Sequence, residues 1–91
     1  MQVYKNPHEA ASYIAKRLAF PFWQDRAFDM VRHACTSPSR DGSTPIAMHR
    51  VKVDRVAKDW PSAGSISLTR DDGMRFKLVM RGKTFKVEGV L

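Results

Sequence analysis

Residues 65–90 read SISLTRDDGMRFKLVMRGKTFKVEGV, and the fold turns on how that stretch is punctuated. Asp71-Asp72-Gly73 and Arg81-Gly82-Lys83 are turn signals, because glycine reaches the backbone conformations that tight hairpin loops need. They divide the stretch into three short strands near 65–70, 74–80 and 84–90. The loops have hairpin lengths, so an antiparallel meander follows. Side chains alternate across a strand. Ile66, Leu68, Phe76, Leu78, Met80, Phe85 and Val87 therefore share one face. Arg75, Lys77, Val79, Arg81, Thr84, Lys86 and Glu88 share the other, with Arg70 and Lys83 at the turns. The first face is apolar and the second is basic.

Just upstream, residues 46–60 fit two patterns. Arg50-Val51-Lys52-Val53-Asp54 alternates and is rich in β-branched residues, as a strand would be. Val53, Val56, Ala57 and Trp60 also fit a helical stripe, which Thr44-Pro45 would start. The strand is the favoured reading, near 47–56, as a fourth member at the sheet edge. It brings Arg50, Lys52 and Arg55 to the basic face. Trp60-Pro61-Ser62-Ala63-Gly64 makes a turn, with Trp60 read as a buried residue sealing the sheet edge rather than an interface anchor. Residues 36–45, rich in Ser, Thr, Pro and Gly, form a surface loop.

The first third is helical. Asn6 is a helix cap, Pro7 suits the first helical position, and Glu9 stands three residues after the cap. Ala10, Ala11, Ile14 and Leu18 recur at helical spacing, with Lys16 and Arg17 on the outer side. Phe20-Pro21-Phe22 interrupts the pattern, since an interior proline removes a hydrogen bond and clashes with the preceding turn. A second helix is expected from about Phe22 to Cys35, on a stripe of Trp23, Ala27, Met30/Val31 and Ala34. Asp25 near its start and Arg32 near its end complement the helix dipole. The expected architecture is α+β: two N-terminal helices packed on a three- to four-stranded, mainly antiparallel sheet. Residues 1–91 form a single domain, with a helical part at 6–35, a loop at 36–45 and a sheet part at 46–91.

Composition narrows the functional classes. No apolar run has the length of a membrane span, and residues 1–7 contain no signal-peptide core, so a cytoplasmic protein of a bacterial host cell is expected, with no membrane partner. The lone Cys35 has no partner for an internal disulfide, which fits a reducing compartment. Sixteen Lys and Arg against nine Asp and Glu give a formal charge of +7. Residues 1–45 hold six basic and four acidic side chains, whereas residues 46–91 hold ten and five. Such a surface attracts polyanions.

Arg70, Arg75, Lys77, Arg81, Lys83, Lys86, Arg50, Lys52 and Arg55 are accordingly the candidate binding residues, for a nucleic-acid backbone or a ribonucleoprotein complex. Without aromatics on that face, base stacking of the single-strand RNA type is not expected. No catalytic site, metal site, cofactor or small-molecule substrate is expected. His8, His33 and His49 stand apart, and neither an HExxH nor a paired CxxC spacing occurs. There is no GxxxxGK[ST] or GxGxxG loop for nucleotide phosphates. Cys35 reads as a small core residue and Asp71-Asp72 as a turn rather than a metal pair.

The free-standing 91-residue length, the two-helix start, the two hairpins and the basic face of Arg75, Lys77, Arg81 and Lys86 resemble the small phage-encoded anti-CRISPR inhibitors. The likeness covers most of the chain as a layout, without a diagnostic motif. These inhibitors share no common sequence, so no functional residue carries over from them. Many are acidic mimics of DNA, and this chain departs from that. The resemblance implies a non-enzymatic inhibitor that docks on an RNA-guided ribonucleoprotein, reaching guide-RNA phosphates or acidic subunit surfaces and blocking target DNA. Two alternatives stand beside it. A winged-helix transcriptional regulator requires 46–60 to be a reading helix, with Arg50, Lys52, Arg55 or Lys58 on the DNA. A small ribonuclease toxin would rely on His49 with Arg50.

Overall fold

The computed structural model describes residues 3–17, 24–38, 42, 47–57, 65–81 and 84–90. The Phe20-Pro21-Phe22 joint, Leu18, Trp23, most of the 36–45 loop, the Trp60-Pro61 turn and the Gly82-Lys83 loop lie outside the described residues. The fold is α+β, two helices followed by a four-stranded antiparallel sheet.

Helix α1 spans Pro7–Arg17. The Asn6 side chain caps it as expected, its Oδ1 accepting the Glu9 backbone N–H at 2.9 Å. Pro7, Ala10, Ala11 and Ile14 are buried, and Lys16 and Arg17 are exposed. Helix α2 spans Gln24–Thr36 and buries Ala27, Met30, Val31, Ala34 and Cys35. Its last carbonyls are taken up locally, by Thr36 Oγ1 on Arg32 at 2.9 Å and Ser37 Oγ on His33 at 2.8 Å.

Strands β1 (Val51–Val56), β2 (Ile66–Arg70), β3 (Arg75–Arg81) and β4 (Thr84–Val90) lie in the order β1-β2-β3-β4. Within the described residues 47–57 the chain therefore forms a strand, Val51–Val56, and its alternation outweighs the helical stripe. That strand begins at Val51 rather than at 47. The His49 N–H bonds the Cys35 carbonyl at 3.2 Å and the Arg50 N–H bonds the Asp71 carboxylate at 3.0 Å, so neither donates to the ladder. At the β2–β3 turn, Gly73 has φ +90°, and its N–H closes the loop onto the Arg70 carbonyl at 2.9 Å. Register aligns Val53, Leu68, Phe76 and Gly89 in one inner row and Val56, Ile66, Leu78 and Val87 in the next. The helices cover that face, and one core unites Ala10, Ile14, Met30 and Val31 with Val51, Leu68 and Leu78.

Candidate nucleic-acid interface

The solvent face of the sheet follows from the same register. Lys52 stands beside Thr69 and Thr69 beside Arg75, while Arg55 stands beside Ser67 and Ser67 beside Lys77. A β-bulge between Val53 and Arg55 leaves both Asp54 and Arg55 exposed, so consecutive residues reach the same side. The result is an open concavity of about 500 Å³, with Lys52, Arg55, Arg75 and Lys77 around it. Ser67 and Thr69 form its floor. Asp54, also at its margin, accepts the Thr69 hydroxyl.

Four of the nine expected binding residues thus converge. The others are placed differently. Arg50 is exposed ahead of β1, outside the concavity. Lys86 is exposed on β4, with Nζ 3.5 Å from the Glu88 carboxylate. Arg81 is placed by its backbone, at the end of β3 opposite Thr84. Lys83 lies outside the described residues.

Arg70 leaves the set altogether, because its side chain is fully buried. It continues the inward parity of Ile66 and Leu68 and enters the space below the C-terminus of α2. Nη1 donates to the carbonyls of Ala34 at 3.0 Å and Ser37 at 2.7 Å. Nε and Nη2 donate to the two oxygens of Asp72, at 2.9 and 2.6 Å. The guanidinium carbon also lies 5.2 Å from the centre of the Phe76 ring. A cation is favoured there, since the last helical carbonyls are the negative end of the α2 dipole. The Arg70 hydrogen bonds, above all, hold the Asp72 carboxyl down at about 2.

His49 joins this cluster. Its Nδ1 lies 2.6 Å from Asp71 Oδ1, while Nε2 is buried without a hydrogen-bond partner among the described residues, 4.0 Å from Asp72 Oδ2. The other Asp71 oxygen accepts the Arg50 N–H. Asp71 and Asp72 thus do more than turn the chain: one holds the approach to β1 and the other neutralises Arg70. Cys35 is buried, and that burial pushes its thiol up to about 12. Among the described residues, no group of three or more His, Cys, Asp or Glu is arranged to hold a metal ion. No helix among them is long and apolar enough to cross a membrane.

Sequence reasoning missed the hydroxyls of Ser67 and Thr69, although the parity of β2 points both outward. It also missed Tyr4. Lys5 forms an isolated antiparallel bridge with Val51, and this brings the partly exposed Tyr4 ring to 5.4 Å from Lys52 Nζ. That pairing joins residues far apart in the chain, and no local pattern announces it. No family model, curated protein or solved structure matches this chain.

Proposed function

We propose that this chain is a non-enzymatic inhibitor of the anti-CRISPR type, which binds phosphates of an RNA-guided ribonucleoprotein through its outer sheet face and so blocks target binding. The observation that carries the phosphate-binding part is the concavity ringed by Lys52, Arg55, Arg75 and Lys77. Outward residues of one strand recur about every 6.6 Å, a spacing comparable to that of neighbouring phosphates on one nucleic-acid strand. Two flexible ammonium groups and two planar guanidinium groups suit phosphate oxygens, and the Ser67 hydroxyl adds a donor without charge, while that of Thr69 is given to Asp54. The ribonucleoprotein as partner rests on the resemblance in layout and in the basic sheet face.

Two features weigh against the alternatives. A regulator of the winged-helix type needs a reading helix where β1 stands. A ribonuclease built on His49 needs an open ring nitrogen, whereas Nδ1 is engaged by Asp71 and Nε2 is buried.

The test is binding of the wild-type chain and of a K52E/R55E/R75E/K77E variant to an assembled RNA-guided complex and to its free guide RNA. Loss of both interactions in a folded variant supports the reading. Undiminished binding to the complex overturns it. Binding to free RNA alone leaves a general polyanion binder and removes the inhibitor.

A further inference from the structure

The two edges of the sheet differ. Beside β1, Lys5 exchanges two backbone hydrogen bonds with Val51, at 2.8 and 3.0 Å, and the bulge at Asp54 breaks the regularity of that strand. Both features discourage another strand from pairing there. At the far edge, β4 runs over Thr84–Val90 in unbroken register with β3. Among the described residues it has a strand neighbour on its β3 side alone.

The sequence of β4 is complementary to itself. A strand that pairs antiparallel with a second copy over its full length must be centred on its middle residue, which here is Val87. Phe85 then opposes Gly89, and Lys86 opposes Glu88, each twice about the axis. Opposed residues in an antiparallel pair share a face. On the outer face, each Lys86 meets the other copy's Glu88. The two head groups already lie 3.5 Å apart within one chain, so both occupy that side of the sheet. On the inner face, Val87 meets Val87, and the Phe85 ring covers an edge glycine. Phe85 and Val87 are half-buried at the margin of the core, so the pairing removes more apolar surface from water. Register is fixed by charge. Sliding the pair by two residues either way opposes Lys86 to Lys86 or Glu88 to Glu88.

We propose that β4 is a homodimer interface, at which two copies join by antiparallel β4–β4 pairing centred on Val87. The two four-stranded sheets become one continuous sheet about a two-fold axis.

Sedimentation equilibrium of the full chain, from micromolar to millimolar concentration, reads the monomer–dimer constant directly. K86E sets like charges opposite at two symmetric positions and is expected to weaken the dimer about tenfold or more. The Lys86 side chain is 59% exposed, so its replacement leaves the fold intact, which circular dichroism checks. The swapped variant K86E/E88K restores opposite charges and with them the dimer. Opposed Cα atoms in such a pair are about 4.5–5.5 Å apart, within disulfide range. V87C is therefore expected to crosslink on mild oxidation, while the buried Cys35 does not compete. A chain monomeric across the range overturns the proposal. So does a dimer indifferent to K86E, or one that V87C fails to crosslink.

Discussion

Arg70 and Asp72, two residues apart across the β2–β3 turn, face each other through two hydrogen bonds of 2.9 and 2.6 Å. The same guanidinium reaches the carbonyls of Ala34 and Ser37, so one side chain ties the hairpin to the end of α2. Opposite charges so placed offset a desolvation cost that neither bears alone. The cluster is structural, and it removes one cation from the surface that composition alone would count.

Removing the carboxylate leaves a buried cation short of its partner. D72A is expected to lower unfolding free energy by about 3 kcal/mol or more. R70M removes the charge and keeps apolar volume beside Phe76 and Met74, and is expected to cost less, about 1–3 kcal/mol. Urea denaturation of the two variants checks the order.

The same pair sets an acid limit. Asp72 titrates at about 2 in the folded chain against an ordinary value of 3.8, chiefly because Arg70 donates to it. A depressed carboxyl stabilises the fold above its unfolded value, and that stabilisation is lost as pH falls through the folded one. The urea midpoint is therefore expected to drop between about pH 4 and pH 2. D72N is expected to start lower at neutral pH and to lose this part of the slope.

Phosphate binding leaves a salt signature. If four cations each neutralise one phosphate, log K falls against log salt with a slope of about −3 to −3.6. R75A is expected to reduce that slope by about one, with weaker binding across all sequences. R50A, outside the concavity, is expected to leave the slope unchanged. Anisotropy titrations of a labelled RNA at several salt concentrations distinguish them.

Cys35 is expected to resist thiol reagents while the chain is folded, because it is buried and its thiol is pushed up to about 12. Labelling with a maleimide dye should proceed promptly in urea and negligibly in buffer. Prompt labelling in buffer would place the thiol at the surface.

Much of this was legible in the sequence. The alternation of residues 66–88 gave the sheet faces, and Asp71-Asp72-Gly73 gave the hairpin, because period and turn chemistry are local properties. The Asn6 cap was equally local. Arg70 departs from the expected surface site because its parity continues Ile66 and Leu68 inward, even though it stands beside a turn. Its partners lie on α2, more than thirty residues away. The convergence of Lys52 and Arg55 with Arg75 and Lys77 depends on β1–β2 register and on the bulge at Asp54. Neither is a property of a short window. Tyr4 was out of reach for the same reason.

The Lys5–Val51 bridge has a consequence beyond bringing Tyr4 to Lys52. With chain already seated there and the bulge beyond it, that margin is a poor template for a newcomer. Recruitment by strand addition is confined to the opposite side, where a two-fold union consumes the template. A third copy then finds nothing to extend, and what would otherwise be a nucleus for open-ended fibre growth terminates at a finite particle.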